Sequence, residues 1–214
     1  MAAPEAPKRQ TRIQRARREE ILAAALDVFA QSGFRGASIN EIARTAEMST
    51  PRLLYHFRGK EALYRELLRL TILLWLGPLN LLADTEDPVE EICTYIRRKL
   101  DMSRQYPRES RLFAGEIMMG VPQARDEIFS PLQAIFDAKI ALFSNWMDQG
   151  RIARLDPHHL MYSIWAATQH YADFEAQIAE LSPQKMPSLY ADAEAFLVPM
   201  YRKVLTPAAP PGPG

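Results

Sequence analysis

The sequence predicts an all-α protein in which a three-helix N-terminal domain precedes a larger helical C-terminal domain. Helical periodicity recurs from end to end, and no run shows the strict alternation of a half-buried strand. Apolar residues make up 48% of the 214 residues, enough for a substantial core and too many for a disordered chain. Charge is unevenly divided. Residues 1–65 hold 12 Lys and Arg against 7 Asp and Glu, and the remainder holds 14 against 19, so a basic head joins an acidic body although the net charge is zero.

Composition places a flexible basic arm over 1–12, the first domain over 13–66, the second over 67–205 and a disordered Pro, Gly and Ala tail over 206–214. The arm carries Pro4, Pro7, Lys8 and Arg9 without the apolar run of a secretory signal. In the first helix Ile21, Leu22, Ala25, Val28 and Phe29 form one stripe that stops at Gly33. Residues 67–83 are the most lipid-like stretch, but Arg69, Gly77, Pro78 and Asn80 break it short of the ~20 apolar residues of a membrane span. It reads as a buried helix ending near Gly77, with no membrane partner.

The stripe returns at Val89, Ile92, Cys93, Ile96 and Leu100, then at Leu132, Ile135, Phe136, Phe143, Trp146 and Met147 before Gly150. Asp156 and Pro157 form an N-cap and N1 pair, opening a helix toward Leu181 that Pro183 and Pro187 end. In the last helix Leu189, Tyr190, Ala193, Phe196, Leu197, Met200, Tyr201 and Val204 hold the period for about four turns, with a kink expected at Pro199.

Residues 38–57 carry a helix-turn-helix pattern. Ser38 with Glu41 forms a capping box, small Ala43 permits close helix approach, and Ile42, Met48 and Leu53 supply the apolar contact. Ser49 caps the second helix, and Pro51 sits in its first turn. That turn presents Ser49, Thr50 and Arg52 to base edges in a major groove, while Tyr55 and His56 reach phosphates. Lys60 at the start of the next helix offers a second phosphate seat, and Ser38 and Thr45 bind phosphates from the first. Individually, Tyr55 could be core and Arg52 a solvated charge.

The whole string resembles the DNA-binding domain of the TetR family of regulators, through 29–34 (Phe-Ala-Gln-Ser-Gly-Phe), 38–46, Tyr55-His56-Phe57 and 60–64 (Lys-Glu-Ala-Leu-Tyr). The resemblance implies a three-helix DNA-binding head, a C-terminal ligand-binding and dimerisation domain, a homodimer on double-stranded operator DNA, and no enzymatic activity. One position departs from the family: Glu47 stands where glycine is usual, and a left-handed conformation there would cost roughly 1 kcal/mol.

The second domain resembles the pyrimidine-responsive, pyrimidine-utilisation type within this family, through 75–79, 95–97, 103–113, 156–160 and above all 164–174 (Ile-Trp-Ala-Ala-Thr-Gln-His-Tyr-Ala-Asp-Phe). It implies a small-molecule effector, with uracil or thymine as candidates, and no cofactor or metal. Trp165, Gln169 and Asp173, spaced by four and four, share one helix face that suits a flat heterocycle with donors and acceptors on its edge. By resemblance Trp75, Trp165 and Gln169 would stack on and hydrogen-bond the base, with Asp173 beside them. The alternative is that both tryptophans are core and Gln169 meets a buried carbonyl. Phe196, Met200, Tyr201 and Val204 are the expected dimer interface, with intrachain packing as their other role.

A helical-bundle enzyme is disfavoured. None of the four histidines has Glu three residues before it, and neither a Gly-rich phosphate loop nor a Gly-x-Ser-x-Gly elbow occurs. The pair His170 and Asp173 is the nearest to a catalytic one. A regulator sensing a lipophilic drug, acyl compound or other metabolite is the stronger rival, since Met118, Met119 and many leucines suit a greasy pocket. The lone Cys93 excludes an internal disulfide and a Cys-based zinc site, and fits a cytoplasmic setting.

Overall fold

A computed structural model describes residues 12–120 and 125–208. Among them the chain forms α1 (Arg12–Gly36), α2 (Ile39–Thr45), α3 (Thr50–His56), α4 (Lys60–Leu81), α5 (Pro88–Gln105), α6 (Pro107–Met118), α7 (Arg125–Asp148), α8 (Pro157–Asp173), α9 (Glu175–Leu181), a 3-10 segment (Pro183–Ser188) and α10 (Leu189–Leu205), without a strand. It divides into two compact units, Met1–Leu67 and Leu68–Gly214. The expected arm lies outside the described residues except Arg12, which opens α1, and the expected tail does so beyond residue 208.

In the first unit the stripe of α1 is buried as its spacing requires: Ile21, Ala25, Val28 and Phe29 join Ile42, Leu53, Leu63 and Tyr64 in one core. Gly33 breaks α1 with φ 65°, and one further turn follows before Ala37. Phe29, Phe34 and Tyr64 cluster, with both phenylalanine rings 4.9 Å from that of Tyr64.

In the second unit α5 is the central element, packed between α8 and α10. Asp87 caps its start by accepting from Glu90 N, and its buried residues include Ile92, Cys93, Tyr95, Ile96, Lys99 and Leu100. Asp156 caps α8 in the same way through His159 N at 2.9 Å. Trp146 of α7 is fully buried, and its indole N–H donates to Asp84 at 2.6 Å. Glu90 accepts from Arg97 within α5 and from Arg202 of α10, which ties the two helices, and both bonds hold its carboxyl below the usual range.

Two expectations are corrected. Helix α4 does not end near Gly77 but runs through Gly77 and Pro78 to Leu81, because the single backbone bond that Pro78 removes is outweighed by burying Trp75, Leu76, Leu79 and Leu82 around it. The helix begun at Pro157 does not continue to Leu181 but breaks at Phe174, where Arg111 Nη1 reaches the Ala172 carbonyl at 3.3 Å and the side chain of Asp173 is drawn to Ser110. No glycine or proline marks that break. Helix α10 runs through Pro199 to Leu205, as its apolar spacing predicts.

Because Trp146 is sealed on every side, Trp146→Ala should cost about 3–5 kcal/mol, read as a drop in the urea midpoint at unchanged slope.

Candidate nucleic-acid interface and effector chamber

Helices α2 and α3 are joined by a tight turn. Ser38 Oγ accepts from Glu41 N at 3.2 Å, as the capping box requires. Glu47 takes φ 52°, the left-handed position that its place in the turn implies, and Met48 N then closes onto the Ala43 carbonyl at 3.0 Å. Ser49 stands at the N-cap of α3 with an extended backbone, but its side chain makes no cap bond. The start of α3 is instead held by Thr50, whose Oγ1 donates to Asn40 Oδ1 at 2.9 Å and pins α3 to α2. Ser49 is thereby left with an exposed hydroxyl.

Leu53 is the fully buried residue of α3, so the rest of this short helix faces outward. Arg52 is exposed, and Tyr55, at 78% exposure, is not core. Ser38 and Thr45 are exposed on α2, and His56 is half-buried beside the Tyr55 ring. Lys60 differs from expectation. Its ammonium donates to the carbonyls of Phe34 and Ala37 at 2.8 and 2.9 Å and lies 4.5 Å from the Phe34 ring centroid. Two of its three donors therefore hold the end of α1, which leaves one for a phosphate. Sequence reasoning missed Arg18, whose guanidinium sits 4.1 Å from the Phe57 centroid and donates to the His56 carbonyl, fixing the end of α3.

In the second unit Trp75, Trp165 and Gln169 line one small cavity of about 50 Å³, with Tyr95, Lys99, Phe113 and Leu132 among its other walls. Trp165 donates its indole N–H to Tyr95 Oη at 2.8 Å, so what it offers the cavity is a ring face. The indole nitrogen of Trp75 is buried without a partner. Phe113, Leu132, Trp165 and Gln169 also border an open, largely apolar groove of about 720 Å³, which Asp173 lines from α8. Asp173 thus belongs to the groove and not to the small cavity. It accepts from Ser110 Oγ at 2.5 Å, and burial raises its pKa against the pull of that bond and of Lys99. His170 stacks on Phe174 at 4.8 Å instead of pairing with Asp173.

Lys99 is the residue missed by sequence reasoning that matters most here. It follows Ile92 by seven and Ile96 by three, on the buried stripe of α5, and that position was its legible signal. It is 2% exposed, with its ammonium 5.2 Å from the Trp75 centroid. Burial lowers its pKa from 10.5 to about 8 despite the opposing carboxylate of Asp173.

The expected dimer residues separate into two sets. Phe196, Met200 and Val204 form an exposed row on α10, at 64%, 38% and 47% exposure. Tyr201 differs from that row: it is buried, donates to Ser163 Oγ at 3.1 Å and packs on the α10 face turned toward α5 and α8, while also lining a groove with Ser163, Ala166, Ala167 and Tyr171. Among the described residues there is no cluster of His, Cys, Asp and Glu able to hold a metal, and no helix long and apolar enough to cross a membrane.

The head and the body each match a family model. Residues 21–67 match bacterial regulatory proteins of the tetR family, and residues 68–208 match the C-terminal region of YcdC-like proteins. The chain belongs to the TetR family of transcriptional regulators. It is 45% identical to the HTH-type transcriptional regulator RutR of Escherichia coli K12 over 170 residues, which cover 79% of this chain and 80% of RutR. The regulator SCO4942 of Streptomyces coelicolor has a similar structure, with 25% identity and a TM-score of 0.66 over 89% of this chain and 99% of its own. AibR, solved in complex with isovaleryl coenzyme A and operator DNA, shares the fold at 23% identity and a TM-score of 0.64, over 73% of this chain and 85% of its own.

Two outcomes follow from this geometry. Glu47→Gly should leave the head as stable or raise its stability by up to ~1 kcal/mol in denaturant titration, since glycine relieves the left-handed strain and gives part of that back as chain entropy. For Lys99 the folded pKa lies below the unfolded one, so the buried charge destabilises the fold fully below about pH 8, and stability is regained as pH rises toward 10.5. Burial raises the pKa values of Cys93 and Tyr95 from 9.0 and 10.0, so these groups lower stability in the upper part of that range. Lys99→Met shares both, and is the reference. The stability of the unaltered protein relative to this variant should rise by about 2 kcal/mol between pH 8 and 10 in urea unfolding.

Proposed function

We propose that the chain is a cytoplasmic repressor that binds a palindromic operator as a homodimer, and that a pyrimidine base, uracil or thymine, alters its DNA affinity by occupying the chamber of Trp75, Trp165 and Gln169. The observation that carries the effector reading is this convergence. Two tryptophans and an amide from α4 and α8 wall one small cavity in a chain 45% identical to RutR, and its sequence resembles the pyrimidine-responsive type over the same segments.

The chamber's size supports a switch. At about 50 Å³ it is a third of the ~150 Å³ that admits benzene to an engineered apolar cavity, so one ring enters only as wall side chains shift. Phe113 and Leu132, shared with the open groove, are the walls placed to yield. A ligand that binds only the expanded arrangement shifts the population toward it. If that arrangement mis-spaces two heads that must enter half-sites ~34 Å apart, ligand and DNA weaken each other by the same factor.

For the head, Ser49, Thr50 and Arg52 are the base-reading group, with Ser38, Thr45, Tyr55, His56 and the remaining donor of Lys60 on phosphates. The exposure of Ser38, Thr45, Ser49, Arg52 and Tyr55 on and beside α2 and α3 supports this assignment, with Thr50, His56 and Lys60 partly accessible. For the dimer, the row Phe196, Met200 and Val204 beside a groove lined by Ser163, Ala166, Ala167 and Tyr171 supports pairing through α8 and α10. A second reading, a regulator of a lipophilic or acyl effector, is favoured by the 720 Å³ groove with Ile117, Met118, Phe129 and Phe174 in its lining.

Thermal unfolding and mobility-shift assays distinguish the two. Uracil or thymine at millimolar concentration should raise the melting temperature and change operator affinity at least about fivefold. A melting temperature moved by acyl compounds and not by either base would overturn the pyrimidine assignment. Arg52→Ala should reduce discrimination between operator and random duplex, with about 1–3 kcal/mol lost at the bases it reads. Equal discrimination in the variant would remove Arg52 from the reading set.

A further inference from the structure

The chamber is rich in donors. Lys99 carries N–H groups and no lone pair, and its long side chain is buried to 2% exposure on the inner stripe of α5, in the cavity wall. Trp75, in the same wall, has an indole N–H with no hydrogen-bond partner. Trp165 has already given its N–H to Tyr95. Among the described residues the carboxylate that offsets the Lys99 charge is Asp173, which lines the outer groove and is itself engaged by Ser110.

An ammonium removed from water costs folding free energy unless acceptors surround it. The Trp75 ring face at 5.2 Å supplies a cation–π contact, which offsets part of that cost and satisfies none of the hydrogen-bonding capacity. The depressed pKa of Lys99 points the same way, since the folded chain without ligand stabilises the charge poorly. The walls bring lone pairs only at Gln169 and at Tyr95, whose oxygen already accepts from Trp165, and the Trp75 N–H pairs with neither.

We infer that Lys99 is the residue that sets effector specificity, by requiring the ligand to present carbonyl oxygens to the chamber. The inference rests on the pyrimidine reading and deepens it. A ring with oxo groups at both C2 and C4 offers acceptors on both sides and no exocyclic donor. A ring with an amino group at C4 keeps acceptors at the C2 oxygen and N3, but on its C4 side it directs N–H toward N–H, which leaves a buried donor unpaired or turns a positive dipole toward the cation. Sites built around such complementarity reject the mismatched analogue by large factors, because the penalty falls on groups that water can no longer reach. Gln169, which both donates and accepts, can serve either ring and carries no such discrimination.

The test is isothermal titration of the full-length chain with uracil and with cytosine, repeated on Lys99→Met, alongside thermal unfolding without ligand. The unaltered protein should bind uracil at least about 100-fold more tightly than cytosine. Lys99→Met should lose uracil affinity at least about 100-fold, while its unliganded melting temperature stays level or rises, since a poorly solvated charge has been exchanged for an apolar side chain of similar length. A merely structural lysine would give the opposite signature, a less stable variant with undiminished binding.

Equal affinity for the two bases, or unchanged uracil affinity in the variant, overturns the role of Lys99 and leaves the pyrimidine reading standing. No binding of either base by the unaltered protein overturns that reading and this inference with it. The comparison of the two bases on the unaltered chain decides the question even if the variant fails to fold.

Discussion

The second unit depends on the burial of α5. This helix has α8 on one flank and α10 on the other, and its apolar stripe of Ile92, Ile96 and Leu100 leaves almost none of it to solvent. Such burial is the main favourable term in folding, and it acts on the whole helix at once. Tyr95 and Lys99, one turn apart, are carried into the interior by their neighbours. Each then needs a partner there: Tyr95 finds the indole N–H of Trp165, and Lys99 finds the Trp75 face and a more distant carboxylate.

That inequality sets these groups apart from the rest of the core. Well-packed interiors pair their polar groups, so a buried ammonium beside an unpartnered indole N–H marks a place where packing has been held short of self-sufficiency. The same interior is tight, and its small cavity can grow only at the shared walls of the outer groove. Polar need and steric resistance act together. In the proposed effector reading a ligand that meets the first displaces the second, and its binding then prefers one of two arrangements of the same chain.

The head is built on the opposite principle. The side chains proposed to meet DNA lie at or near its surface, and its core serves to hold two seven-residue helices that would be marginal alone. Arg18 on the carbonyl of His56, Lys60 on the carbonyls of Phe34 and Ala37, and Thr50 on Asn40 are side-chain pins across that core. They fix where α3 begins and ends, and a base-reading surface needs such definition more than it needs added stability.

Local rules were sufficient for most helices. Apolar spacing, the caps Asp156 and Ser38, the terminator Gly33 and the left-handed position at Glu47 are set by near neighbours, so the residues that decide them are adjacent in sequence. The family was legible for the same reason, since its signature lies in short contiguous strings. Decisions made by distant partners were not legible: α4 passing Gly77 and Pro78, α8 breaking at Phe174, Tyr201 turning inward while Phe196, Met200 and Val204 turn out, and Lys60 turning to the end of α1. Each depends on what another helix offers in space. Lys99 combines both cases: its place on the buried face of α5 was written in the spacing, but that its charge would be left poorly matched depended on side chains brought from α4, α6 and α8.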